Sequence, residues 1–303
     1  MLALPLCSRR SFLAGLASLS AAPGAAKALG LAARRTDVVR IPLVYDASGT
    51  LLVSARVSGR SEKRFVLDTG ASRSAIADAH ARAIGLDLAE DGGAVEGSAG
   101  VVNARRARAE VAIDGIEPPV VIDFTAYALA FGDPECVGIL GAEFLRRAPF
   151  RILYRERVLE WSAAPPAATI PMSLENGIPR IDALVNGRTF SLRLDTGAAL
   201  PPGEDAYVNV TEAEAARLEL RGEPAAVFTA AGTGGAVLKL PVHRLKSLAV
   251  AGRELPRAFA IVQPRVGYFA REDAVGFLGN AVLDKLDPYF DYAGKRFGVA
   301  APR

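Results

Sequence analysis

The sequence predicts a mostly β protein made of two related halves, and three observations predict it. The tripeptide Asp-Thr-Gly occurs twice, as Asp68-Thr69-Gly70 and Asp195-Thr196-Gly197, each time closing a β-forming run. The segments around the two copies also match each other. Most of the remaining chain alternates apolar and polar residues between Gly, Pro and Asp turns, with few helix signals. Asp and Gly favour turns, so one copy of the tripeptide would read as a β-turn. Three fixed residues coincide by chance only about once in ten thousand positions, so two copies in matching context point to a duplicated unit.

The elements follow in order. Ser8-Arg9-Arg10-Ser11-Phe12-Leu13 is similar to the bacterial twin-arginine export signal. A mildly apolar stretch from Phe12 to Ala22 follows, then the small-x-small site Ala26-Lys27-Ala28. Residues 1–28 are therefore expected to be a twin-arginine signal peptide, which implies a periplasmic or secreted bacterial protein. The apolar run is too short and too rich in Ala, Gly and Ser for a membrane span, so none is expected in the mature chain.

The first half is expected over residues 37–162. Ile41-Pro42-Leu43 and a strand lead to Val57-Ser58-Gly59-Arg60, a tight-turn signal, and then to the Asp68 strand. Ser74 to Ile84 is Ala-rich and ends at Gly85, which predicts a helix. Gly138-Ile139-Leu140-Gly141 precedes a short helix at Phe144-Leu145, and a hairpin-like segment from Pro149 to Trp161 closes the half.

After the Pro/Ala linker at residues 163–168, the pattern is repeated over residues 169–303. Ile170-Pro171-Met172, Val185-Asn186-Gly187-Arg188, the Asp195 strand, Gly276-Phe277-Leu278-Gly279, Val282-Leu283 and a closing segment from Pro288 to Val299 appear in the same order. Thr211-Glu212-Ala213-Glu214 adds a capping box that opens a short helix. The Gly-x-Leu-Gly blocks lie further apart than the aspartates, so the second half carries a net insertion between its motifs.

Composition narrows the function. Lys and Arg number 36 against 33 acidic residues, and Arg9, Arg10 and Lys27 lie in the acid-free leader. The rest is close to neutral, so no whole-protein field would draw nucleic acid. Cys7 lies in the leader, which leaves Cys136 without a partner and predicts a buried, inert thiol. No His-Glu-x-x-His, Cys-x-x-Cys or Gly-x-Ser-x-Gly pattern is present, so neither a metal nor a cofactor is expected.

Two β-rich halves, each with Asp-Thr-Gly-Ala and a later apolar-apolar-Gly block, resemble the aspartic proteases, pepsin-like and retropepsin-like. The likeness covers about residues 38–302. It implies the acid-protease fold: two pseudo-symmetric β-barrel-like lobes with a cleft between them. With both motifs in one chain, a monomer completes the site. The resemblance implies a catalytic dyad of Asp68 and Asp195. Thr69, Gly70, Thr196 and Gly197 would support it, and the substrate would be a peptide or protein.

Two nearby carboxylates cannot both ionise easily, so they share a proton, with one acting as base on a water and the other as acid. Which one holds the proton is open at this stage. Ala71 and Ala198 stand where pepsin-like motifs often carry a hydroxyl that bonds the carboxylate. This predicts a raised dyad pKa and a mildly acidic optimum. Gly97, Ser98 and Gly100 in one half, and Gly232, Thr233 and Gly234 in the other, resemble flap tips that bond substrate backbone. A catalytically silent peptide- or ligand-binding protein of the same fold is the alternative. The stretch Ala199 to Gly203 keeps it open, because it departs from the first half.

Overall fold

The computed structural model describes residues 37–200, 203–231 and 237–300. The predicted leader, Pro201-Pro202 and the predicted flap residues Gly232, Thr233 and Gly234 lie outside the described residues. All that is described belongs to one packed unit, Thr36–Arg303.

The fold is mostly β. In the first half the hairpin strands Leu51–Val57 and Lys63–Leu67 pair antiparallel, and the second runs into Asp68. Lys63–Leu67 lies parallel to Cys136–Leu140, which pairs with Ala75–Ala77. Ala75–Ala77 runs parallel to Ile116–Tyr127, which pairs with Arg105–Ile113. Arg105–Ile113 returns to Leu51–Val57, so these strands close into a barrel.

The order recurs in the second half. Ile178–Val185 pairs with Arg188–Leu194, which runs parallel to Phe277–Leu278. That strand pairs with Ala206–Thr211, which in turn runs parallel to Ala258–Gln263. Among the described residues this sheet stays open, with Ala226–Ala231 at one edge. Its hairpin turns at Asn186 and Gly187, both with positive φ, which gives the two-residue turn whose twist suits antiparallel strands.

The closing segments of the two halves do more than end each one. Phe150–Leu153 and Tyr289–Asp291 pair across the pseudo-twofold, with Phe150 opposite Phe290. Val158–Trp161 and Val39–Tyr45 extend the sheet on one side, and Arg296–Gly298 and Thr169–Pro171 on the other. Fully buried Phe150 stacks on Phe290 at 4.9 Å, and Phe144 on Trp161 at 4.9 Å. Each such pair adds about 0.5–1.5 kcal/mol beyond its buried area, so the seam between the halves is part of the core.

One expectation is corrected. Ser74 to Ile84 is not a single helix: Ala75–Ala77 is a strand, and only Asp78–Ala83 is helical. Pairing on both sides of Ala75–Ala77 outweighs the helix propensity of alanine there. The capping box forms as predicted, with Thr211 accepting from the Glu214 N–H at 3.1 Å and Glu214 accepting from the Thr211 N–H at 2.8 Å. Short helices follow each Gly-x-Leu-Gly block, at Ala142–Leu145 and Asn280–Leu283. Among the described residues no helix is long and apolar enough to cross a membrane.

Candidate active site

Both Asp-Thr-Gly loops leave their strands at the seam between the halves. The Asp68 N–H donates to the Leu140 carbonyl and the Asp195 N–H to the Leu278 carbonyl, each at 3.0 Å. Each aspartate is thus pinned by the Gly-x-Leu-Gly strand of its own half.

The loops then lock into each other through their threonines. The Thr69 hydroxyl donates to the Leu194 carbonyl at 2.8 Å and accepts the Thr196 N–H at 3.0 Å. The Thr196 hydroxyl donates to the Leu67 carbonyl at 2.6 Å and accepts the Thr69 N–H at 3.0 Å. Both threonines are fully buried. Four hydrogen bonds in a dry seam fix one loop against the other, because each group left unpaired there would carry its whole desolvation cost.

Gly70 and Gly197 complete the close approach. A Cβ on Gly70 would collide with the Asp195 carboxylate, and one on Gly197 with the Asp68 carboxylate. The two carboxyl groups therefore lie side by side, and they hydrogen-bond to each other. The Gly70 N–H donates to Asp68 Oδ1 at 2.8 Å and the Ala198 N–H to Asp195 Oδ1 at 2.9 Å. Both aspartates are half-buried, open to the cleft yet walled by protein.

Burial pushes the Asp68 carboxyl well above the ordinary carboxylate range, and the negative charge of Asp195 pushes it further. Burial also raises Asp195, but less: the Ala198 N–H, the Asp68 carboxyl, the Gly197 N–H and the Arg193 guanidinium favour its ionised form. The side chains of Ala71 and Ala198 add no hydroxyl to oppose the rise. The pair thus favours one shared proton.

A positioning contact escaped the sequence. Asn280, buried at the start of the second short helix, donates to the Thr196 carbonyl at 2.8 Å and accepts from the Tyr154 hydroxyl at 2.6 Å. It ties the second loop to the closing hairpin of the first half. Its counterpart after the first Gly-x-Leu-Gly block is Ala142, and the Tyr292 hydroxyl, the counterpart of Tyr154, has no hydrogen-bond partner among the described residues. The signal was present as one asymmetry between two matching blocks.

The flap residues of the first half form a two-stranded hairpin, Ala94–Gly97 with Gly100–Asn103, whose turn is Ser98-Ala99. Its tip rests on the second half: a Cβ on Gly267 would collide with the Gly97 carbonyl. Glu96 faces Arg271 at 3.6 Å. The strands Ala226–Ala231 and Val237–Arg244 pair on either side of the second predicted flap tip. Cys136 is buried, and burial pushes its thiol up to about 11, which leaves it protonated and unfit as a nucleophile.

Two interlocked Asp-Thr-Gly loops with adjoining carboxyls, in a duplicated β fold, make up the candidate site. The family model described as aspartyl protease matches residues 53–144. The match contains Asp68 and ends before Asp195, which enters through the repeat. Among solved structures the chain is similar to a retropepsin-like aspartic protease from Rickettsia conorii. The two share 20% identity over 43% of this chain and 88% of that one, with a TM-score of 0.31. No curated protein sequence matches the chain. The family match supports an aspartic protease function in general terms.

Proposed function

We propose that this protein is an aspartic endopeptidase in which Asp68 and Asp195 hydrolyse peptide bonds. The ionised member of the pair draws a proton from a water lying between the carboxyls, and the protonated member hydrogen-bonds the scissile carbonyl and stabilises the oxyanion as it forms. The gem-diol then collapses, the C–N bond breaks, and the leaving nitrogen takes a proton from the dyad. Thr69, Thr196, Gly70 and Gly197 hold the geometry. The Gly97–Gly100 tip covers an extended substrate, and an N–H or C=O in it can bond the peptide backbone.

The observation that carries this reading is the contact of the two carboxyls, each against the glycine of the opposite loop. With the leader removed the enzyme acts as a monomer after twin-arginine export. The test is turnover of a mixed peptide library across pH 3–7, with and without pepstatin, by wild type, Asp68→Asn and Asp195→Asn. Cleavage by wild type alone, blocked by pepstatin, supports the reading. Binding of peptides without turnover by any form would make the protein a silent binding module instead.

A further inference from the structure

The two strands that pin the aspartates are held unequally. On the Asp68 side the pinning strand is Cys136–Leu140, five residues long, with Lys63–Leu67 on one side and Ala75–Ala77 on the other. On the Asp195 side it is only Phe277–Leu278, two residues long. Its Leu278 carbonyl takes the Asp195 N–H, and the Gly276 carbonyl just before it takes the Arg193 N–H, each at 3.0 Å. In the first half Gly138 pairs with Ile76. In the second, the ladder with Ala206–Thr211 stops at Asn209 and Phe277, so among the described residues Gly276 faces no strand partner there.

A carboxylate stands in for the missing ladder bond. Glu214 Oε2 accepts the Gly276 N–H at 2.9 Å and the Thr211 N–H at 2.8 Å. The capping box needs only the second of these. Glu214 and Gly276 are both buried, so the Gly276 N–H left unpaired would carry its desolvation cost, and a charged acceptor bonds it about twice as strongly as a neutral one. A Cβ on Gly276 would collide with the Asn209 carbonyl and crowd Glu214 Oε2, so glycine is what lets the strand come this close. The first half lacks the device. Its matching helix starts after Ala77, as the other starts after Thr211, but its third position is His80 and it has no side-chain cap.

We propose that Glu214 is a positioning residue of the dyad: through the Gly276 N–H it fixes the Phe277–Leu278 strand, and through the Leu278 carbonyl that strand fixes Asp195. Its carboxylate is spent on two backbone N–H groups, so it acts through the strand and not on the reacting atoms. The role deepens the peptidase reading and rests on it.

The test compares Glu214→Leu, Glu214→Gln and Thr211→Val with wild type, measuring kcat and KM on one cleaved peptide and checking folding by urea unfolding. Leu removes the acceptor, and Gln keeps an acceptor without the charge. Thr211→Val removes only the hydroxyl that accepts the Glu214 N–H at 3.1 Å, and leaves the Gly276 bond in place. A displacement of about 1 Å can cost roughly a hundredfold in rate, so Glu214→Leu should lower kcat at least about tenfold with KM within about twofold. Glu214→Gln should fall between Glu214→Leu and wild type, and Thr211→Val should keep the wild-type kcat despite its weakened cap. Equal kcat losses in Thr211→Val and Glu214→Leu overturn the proposal and leave Glu214 as a helix cap alone. So does a folded Glu214→Leu with wild-type kcat. If Glu214→Leu does not fold, Glu214→Gln carries the test: a kcat below that of Thr211→Val supports the role, and an equal one overturns it. If no form cleaves any peptide, the peptidase reading fails separately, and titration of the Asp68 and Asp195 carboxyls by NMR still decides. A titration moved in the folded Glu214 variant but not in Thr211→Val supports the positioning role, and one unmoved in both, or moved equally, refutes it.

Discussion

Removing one hydroxyl from the seam tests how the dyad is held. In Thr69→Val the side chain keeps its shape but loses both of its bonds. The Leu194 carbonyl loses its donor at 2.8 Å and the Thr196 N–H loses its acceptor at 3.0 Å. Both lie in a fully buried layer, where each orphaned group costs about 1–3 kcal/mol. The gain from the extra methyl offsets a fraction of this, so the net loss should be about 3 kcal/mol. For a unit of this size that is a fall in Tm of roughly 6–12 °C.

Reversible urea unfolding gives the free energy and calorimetry the Tm. Thr196→Val should cost a similar amount, because its bonds mirror those of Thr69. The double variant should cost less than the sum, since the same two loops come apart in each case. Single losses under about 0.5 kcal/mol that add independently would refute the interlock as the element holding the loops together.

Other predictions concern the surroundings of the site. Tyr154→Phe should cost about 1 kcal/mol because it strips Asn280 of a partner, whereas Tyr292→Phe should cost under about 0.5 kcal/mol; equal costs in urea unfolding would contradict the asymmetry. Gly267→Ala places a methyl against the Gly97 carbonyl at a φ of +54°, so hydrogen exchange across residues 94–103 should quicken, and unchanged protection would argue against a flap seated there. A carboxyl whose pKa is raised on folding binds its proton more tightly in the folded state. The stability this gives is full below the ordinary carboxylate range of about 4 and is lost as pH rises toward the folded value. Asp68→Asn removes that proton linkage, so its Tm should gain on wild type between pH 4 and pH 7, and parallel Tm–pH curves would contradict the raised pKa.

Much of this was legible in the residues. Asp-Thr-Gly and the apolar-apolar-Gly block are local patterns, and their duplication implied that the halves pair. Asn186-Gly187 marked a turn because few other dipeptides accept two positive φ values. What could not be read came from distant contacts. Ala75–Ala77 became a strand through neighbours at residues 125–127 and 138–139. The seat of the flap on Gly267 joins segments far apart in the chain. Asn280 against Ala142 was visible as a departure from the repeat. Its meaning depended on which strand faces which, and the register supplied it.

The central claim is that Asp68 and Asp195 share a single proton. It is tested most directly by NMR titration of the protein labelled with ¹³C at the aspartate carboxyl carbons, with Asp68→Asn and Asp195→Asn used to assign the two signals. Two coupled steps should appear, with one carboxyl keeping its proton well above the ordinary carboxylate range, and replacing either aspartate should remove the coupling. Two independent titrations near the ordinary aspartate value, each unmoved by loss of the other residue, would contradict it.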